Sequence, residues 1–210
     1  MQQNFIPDMQ TTKKILAING SYREGGITDQ TLEEFVLLTE RYNAEIEVVY
    51  LRDYPIEFCR NCRDCCQMPG ENPGKCVFED GMASLVEKLE LADGYILASP
   101  TNFYTVTALY KRFLERLIPY GYWPWDMNAP ENRKKKSTGK KAVLVSSCAA
   151  PGFMGKVVYG TRRQLKLTAK TIGAEVVGTI FTGLISKQAN ASLPEKSRKK
   201  VAKLMTALLD

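Results

Sequence analysis

Short apolar runs alternate along this chain with segments whose apolar residues recur every three or four positions. Lys14-Ile-Leu-Ala-Ile18, bounded by turn residues, predicts a first strand. Thr28–Tyr42 follows with Leu32, Phe35, Val36 and Leu38 recurring at helical spacing and acidic residues early, so it predicts a helix. Glu45–Leu51 predicts a second strand, and Gly81–Leu91, with Met82, Leu85, Val86 and Leu89 on one face, a second helix. Gly94–Ala98 reads as a third strand and Thr107–Ile118 as a third helix, with Leu109, Phe113, Leu114 and Leu117 inward. Lys141–Ser146, Lys156–Ile172 and Glu175–Phe181 repeat the strand, helix, strand pattern, and Leu193–Leu209 closes the chain as a helix. Two long loops interrupt the alternation: a cysteine-rich segment at 59–76 and an aromatic and basic insertion at 119–139.

Strands that are apolar without interruption belong to a parallel sheet covered on both faces. Right-handed crossovers between them then give one three-layer α/β domain over 1–210, doubly wound, with five parallel strands in the order 2-1-3-4-5. Such folds bind ligands at the carboxyl ends of the strands, where strands 1 and 3 send their connections to opposite faces. The loops after strands 1, 3 and 4 are therefore the ones to read for chemistry.

Asn19-Gly-Ser-Tyr-Arg-Glu-Gly-Gly-Ile-Thr28 joins the first strand to the first helix. Its glycines let the backbone turn around an oxyanion, and the helix start offers unpaired N–H groups and a positive dipole end. Ser21 and Thr28 add hydroxyls and Arg23 adds a cation. A Walker loop fails because Ile27 follows Gly26, and the dinucleotide fingerprint fails because Ser21 and Tyr22 follow Gly20. A loop of this kind suits a phosphate monoester; the plainer alternative is an ordinary glycine-rich turn.

Gly20-Ser21-x-Arg23-x-x-Gly26-x-Thr28 resembles the phosphate loop of the NADPH-dependent FMN reductase and iron–sulfur flavoprotein family, which is flavodoxin-like. Ala92-Asp93-Gly94, Ser99-Pro100-Thr101-Asn102-Phe103 and the cysteines before Glu79-Asp80-Gly81-Met82 are similar to that family as well, so the likeness runs in order through nearly the whole chain. Ile27 stands where the family often has Asn, which removes one side-chain phosphate contact and leaves the backbone ones. The resemblance implies FMN on Ser21, Arg23, Gly26, Ile27 and Thr28. It places Pro100, Thr101, Asn102, Phe103 and Tyr104 against the flavin ring, and Ser147, Cys148, Ala149, Ala150 and Gly152 near its pyrimidine edge. Phe103 and Tyr104 can wall the ring and Thr101 and Asn102 can meet its polar edge; the competing reading is a helix entry capped by Thr105 or Thr107. Cys148 reads as a small packing residue rather than a redox thiol.

Composition narrows the chemistry. The chain has no histidine, which excludes histidine-based nucleophilic machinery and histidine metal sites and favours chemistry carried by a cofactor. The net charge of +6 is concentrated at Arg133–Lys141 and Lys196–Lys203, read as a surface loop and the solvated face of a helix. No interleaved stacking aromatics accompany them, so nucleic acid is not expected as a partner. Lys134–Lys136 could assist an NADPH phosphate, although a solvated loop is the simpler reading. No membrane span or signal peptide is recognisable, and a cytoplasmic protein is expected.

Five of the six cysteines fall within 18 residues. Cys59, Cys62, Cys65 and Cys76, with Cys66 as an alternative, could hold a [4Fe–4S] cluster of the kind the resemblance implies for some family members. Cysteines that pack or act as thiols without a cluster, and a zinc site, stand beside that reading. Tyr120-Gly-Tyr-Trp-Pro-Trp125 is read either as an interface or acceptor-site element or as a loop folded back on its own domain. Family likeness implies a homodimer or homotetramer. The expected activity is FMN-dependent transfer of electrons from NAD(P)H to a quinone, flavin, small aromatic compound or redox protein. The alternatives are an iron–sulfur flavoprotein or flavodoxin-type carrier without its own NAD(P)H substrate, and a binding protein that has lost the cofactor.

Overall fold

The computed structural model describes residues 12–134, 138–185 and 190–210, with the backbone alone for Lys156. Five strands form one parallel sheet: β1 (Lys13–Asn19), β2 (Ala44–Tyr50), β3 (Gly94–Ala98), β6 (Lys141–Ser147) and β7 (Glu175–Thr182). Their order is β2-β1-β3-β6-β7, which is 2-1-3-4-5 among the long strands, as expected. Two short strands, β4 (Gly121–Tyr122) and β5 (Glu131–Asn132), make a separate antiparallel ribbon inside the 119–139 loop.

Alternate side chains of the central strands serve two different cores, which is why their sequences are apolar throughout. Leu16 and Ile18 of β1, Tyr95 and Leu97 of β3, and Ala142 and Leu144 of β6 belong to one cluster. On that side lie α2 (Gly81–Leu91), α3 (Ala108–Glu115) and α5 (Thr161–Thr171). Ile15, Ala17, Ile96, Ala98, Val143 and Val145 face the other way, onto α1 (Ile27–Leu38) and α6 (Glu195–Leu209). Among the described residues no helix is long and apolar enough to cross a membrane.

Two segments differ from the sequence reading. The first helix stops at Leu38 and tightens into a 3-10 turn over Thr39–Arg41. The helix expected over Lys156–Ile172 is two helices, α4 (Gly152–Val157) and α5. The break has a cause outside its own sequence. The Gly160 N–H donates to Tyr104 O at 2.7 Å, and Gly160 becomes the N-cap of α5. α4 is pressed against β7 so closely that a Cβ on Gly155 would lie 2.0 Å from the Phe181 ring.

Leu144 is fully buried in the first cluster. Leu144→Ala is expected to lower unfolding stability by about 3 kcal/mol, seen as a lower denaturant midpoint at unchanged slope. Leu37, 63% exposed on α1, is the control: Leu37→Ala should change stability by less than about 0.5 kcal/mol.

Candidate functional site

β1 and β3 are neighbours, yet the helices that follow them pack on opposite faces of the sheet, so a crevice opens at their carboxyl ends. Its floor is stitched across the gap. The Thr107 hydroxyl, at the entrance of α3, donates to Gly20 O at 2.6 Å and accepts from Tyr110 N at 3.2 Å. Thr107 N in turn donates to the Ser99 hydroxyl at 3.1 Å. A side chain at Gly20 has no room, since its Cβ would stand 2.7 Å from Tyr110 Cβ. Gly25, at φ +62°, makes the left-handed turn that leads into α1. No side chain caps the N-terminus of α1.

A cavity of about 720 Å³ occupies the crevice. From the first loop it is lined by Ser21, Arg23, Gly26, Ile27 and Thr28, from the second by Pro100, Thr101 and Asn102, and from the third by Ser147, Cys148 and Ala149. Hydroxyls meet along its wall: Thr28 with Ser147 at 3.4 Å, and Thr101 with the fully buried Thr161 behind it at 2.9 Å. Cys148 is buried, its thiol donates to Ala150 O at 3.2 Å, and burial raises its pKa, all of which suit packing. Sequence reasoning missed the far wall, made by Ile185 and Asn190–Ser192. Gln30 holds that wall to the first loop: its Nε2 donates to Gly25 O and Ala191 O, and its Oε1 accepts from Leu193 N. Nothing local in the sequence signals a contact between segments so far apart along the chain.

Four of the expected residues lie off the lining. Ala150 O accepts from Leu184 N, and Gly152 packs against the backbone of Phe181 and Gly183. Phe103 and Tyr104 form the tip of a two-residue hairpin, in which Asn102 and Thr105 exchange both backbone hydrogen bonds. Both tip residues have positive φ, 43° and 64°, a conformation that costs a non-glycine residue on the order of 1 kcal/mol. Phe103 is 99% exposed, while Tyr104 meets Tyr159 edge-on at 5.2 Å between ring centres. An aromatic pair in a strained turn that an Asn-Gly pair would form with less strain suggests a role outside stability.

The cysteine loop is braced by arginines. Arg116, 1% exposed, makes a bidentate pair with Asp80 (2.6 and 3.0 Å) and also donates to Glu57 O and Cys76 Sγ. Burial pushes the Asp80 carboxyl up, but the guanidinium and the N–H groups of Glu57 and Met82 outweigh it and hold the pKa below the ordinary value. Arg133, expected on a basic surface loop, is buried instead and donates to Pro119 O, Gly70 O and Cys65 O, because the irregular backbone around it turns carbonyls inward that need a donor. Arg63 lies over the Trp123 ring at 3.7 Å and the Trp125 ring at 4.5 Å, so the aromatic loop folds back on its own domain.

The thiols themselves do not form a four-sulfur grip. Cys65 and Cys66 are buried with sulfurs 3.7 Å apart, and the Cys66 thiol donates to Ile118 O. Desolvation raises both pKa values. Among the described residues no three cysteine or carboxylate side chains converge as a metal-ligand group. Cys59, Cys62 and Cys76 are half-buried in the same loop.

A second groove, about 760 Å³, lies between α3 and α5 over Leu114, Leu117, Ile118 and Leu167. It is slightly larger, but it has no glycine turn, helix start or paired hydroxyls, so the chemistry favours the first cavity. Lys134 points to neither: it pairs with Glu90 at 2.6 Å. Lys135 and Lys136 lie outside the described residues.

The chain matches the NADPH-dependent FMN reductase family over residues 13–182. An iron–sulfur flavoprotein of Archaeoglobus fulgidus is 34% identical over 111 residues, 53% of this chain and 48% of that protein. One from Methanosarcina thermophila is 26% identical over 105 residues, 50% of this chain and 52% of that protein. The chain thus spans about half the length of the curated relatives it matches. An FMN-dependent NADH-azoreductase from Bacillus anthracis, solved with FMN, superposes with a TM-score of 0.68 at 12% identity over 94% of this chain and all of that one. The apo form of the NADH:FMN oxidoreductase EmoB superposes with a TM-score of 0.60 at 16% identity, over 94% of this chain and 88% of that one. At these identities the two structures speak to the fold alone.

Two outcomes follow from this geometry. Phe103→Asn/Tyr104→Gly relieves two left-handed residues and should raise the stability of the flavin-free protein by about 1 kcal/mol in a denaturant titration. Arg116→Met leaves Asp80 buried without its partner and should cost about 3 kcal/mol at neutral pH. Because the Asp80 pKa is lowered by folding, the native protein holds this contribution above the ordinary aspartate range and loses it as pH falls through the lowered value. The gap between native and variant should narrow in parallel, as read from melts across acid pH.

Proposed function

Because the chain belongs to the NADPH-dependent FMN reductase family, we propose that the cavity at the β1–β3 switch point holds FMN and that the protein passes electrons from NAD(P)H to a small aromatic or quinone-type acceptor. One observation carries this reading: the uncapped start of α1 opens, beside Arg23 and Thr28, into a cavity lined by all three loops that follow the central strands. The residues present suit the group. The N–H groups at 26–28, the Thr28 hydroxyl and the Arg23 guanidinium match a phosphate monoester in charge and donor type. The small residues Ser147, Cys148 and Ala149 leave room for a flat ring near backbone donors, and Pro100–Asn102 border it from the other side.

When bound, FMN would supply the two-electron redox chemistry between nicotinamide and acceptor. The chain's own work is binding, orientation and exclusion of water. Backbone donors on the third loop would stabilise negative charge developing on the ring's pyrimidine edge. The hairpin carrying Phe103 and Tyr104 stands beside the mouth, where an aromatic substrate would enter. Neither a histidine nor another protein acid is assigned a proton-transfer step.

The exposed apolar residues Phe103, Tyr104, Phe153 and Val157 support a homodimer or homotetramer. No electron-transfer step is assigned to the cysteine loop. The names of the curated relatives keep a [4Fe–4S] cluster as a second reading of it.

The test is an anaerobic titration of purified protein with NADPH, followed at the flavin absorption band. The protein should be isolated yellow and should bleach. Retention of flavin without bleaching by NADPH, but with bleaching by dithionite, would make it a carrier instead. A brown preparation containing iron and acid-labile sulfide would restore the cluster. Arg23→Ala should weaken FMN binding about 10-fold through loss of one charged phosphate contact.

A further inference from the structure

A carboxylate lies directly beneath the turn proposed to receive phosphate. Asp29, in the first turn of α1, is 2% exposed. Its Oδ1 accepts from Asn19 Nδ2 at 2.6 Å, and its Oδ2 accepts from Gly25 N at 3.1 Å. Asn19 passes the constraint on, since its Oδ1 accepts from Ser21 N at 2.9 Å. Three backbone donors of the turn, at Ser21, Arg23 and Gly25, are therefore committed to the protein's own acceptors. What remains for an anion is the helix start at 26–28 together with Arg23.

This arrangement sets two demands against each other. A carboxylate near a helix N-terminus is stabilised by the dipole. Here, however, it competes with the incoming anion for the same positive end, and an uncompensated negative charge would repel a phosphate dianion. The compensation comes from a residue that the loop sequence does not contain. Arg52, just past the end of β2, places Nη1 3.2 Å from Asp29 Oδ2 and 3.4 Å from Ser21 O. Its side chain is 15% exposed and lies 4.4 Å from the centre of the Tyr50 ring, with Nε buried and lacking a hydrogen bond. Arg52 is not part of the cavity lining. It sits under the turn, close to the Glu24 and Asp53 carboxylates as well, at 3.8 and 3.5 Å.

We propose that Asp29 and Arg52 are a positioning pair for the phosphate loop: Asp29 sets the shape of the turn from below, and Arg52 cancels its charge so that a phosphate monoester is admitted. The proposal rests on the FMN reading of the cavity. It differs from a purely structural role in one measurable way. Loss of Arg52 alone harms a phosphorylated ligand, whereas removal of both charges does not.

The experiment titrates flavin-stripped full-length protein with FMN and, separately, with riboflavin, following the quench of flavin fluorescence. Arg52→Met should weaken FMN about 30-fold and leave riboflavin within about 3-fold of the native protein. The double variant Asp29→Asn/Arg52→Met should return FMN affinity to within about 5-fold of native, because the amide oxygen that replaces one carboxylate oxygen still accepts from Gly25 N, at the cost of the bond from Asn19, and carries no charge. If Arg52→Met does not fold, the double variant decides alone: near-native FMN affinity supports the pair, and a 30-fold loss overturns it. Native-like FMN binding by Arg52→Met also overturns the proposal, as does equal loss of FMN and riboflavin. Native protein that binds neither flavin would instead overturn the reading of the cavity itself.

Discussion

One short hydrogen bond joins the two halves of the crevice. β1 and β3 lie side by side but lead to helices on opposite faces of the sheet, and Gly20 N donates to Ala98 O at 2.8 Å where their loops part. Beyond the ladder, the Thr107 hydroxyl reaches Gly20 O at 2.6 Å and ties the first loop to the start of α3. It works only because Gly20 has no side chain and the α3 residue Tyr110 fills the space beneath it. The same hydroxyl caps α3 by accepting from Tyr110 N, so the position of the first loop and the start of the helix are set by one atom.

Away from the cavity the molecule handles charge inside its irregular segments in a consistent way. The cysteine loop has little regular structure, and carbonyls within it face the interior. Arg116 and Arg133 satisfy them and tie the loop to α2 and to the chain after α3. A planar guanidinium with five donors suits this task better than an ammonium does. Under the phosphate turn, Arg52 plays a comparable part toward Asp29 and Ser21 O. In each case a long cation reaches in from a neighbouring element and supplies donors to loop carbonyls.

The layers are legible in the sequence because β1, β3 and β6 are apolar on both alternations, and only a sheet covered twice requires that. The lining of the cavity is legible wherever it lies on a strand-to-helix loop, since topology alone brings Ser21, Thr101 and Ser147 together. Long-range partners are not legible. Gln30 looks like a surface residue of α1 until its contacts with Ala191 and Leu193 are seen. Arg133 looks like one more charge in a basic run, yet the carbonyls that bury it come from residues far apart in sequence. The break between α4 and α5 is hidden for the same reason, because the acceptor of the Gly160 N–H is in another loop. Gly160 is visible in the sequence, but its place as the N-cap of α5 depends on that distant acceptor.

Both tryptophans of the chain stand in the aromatic loop, beside the Arg63 guanidinium and apart from the cavity lining. In flavin-free protein, indole emission therefore reports on the seating of this loop against the cysteine segment.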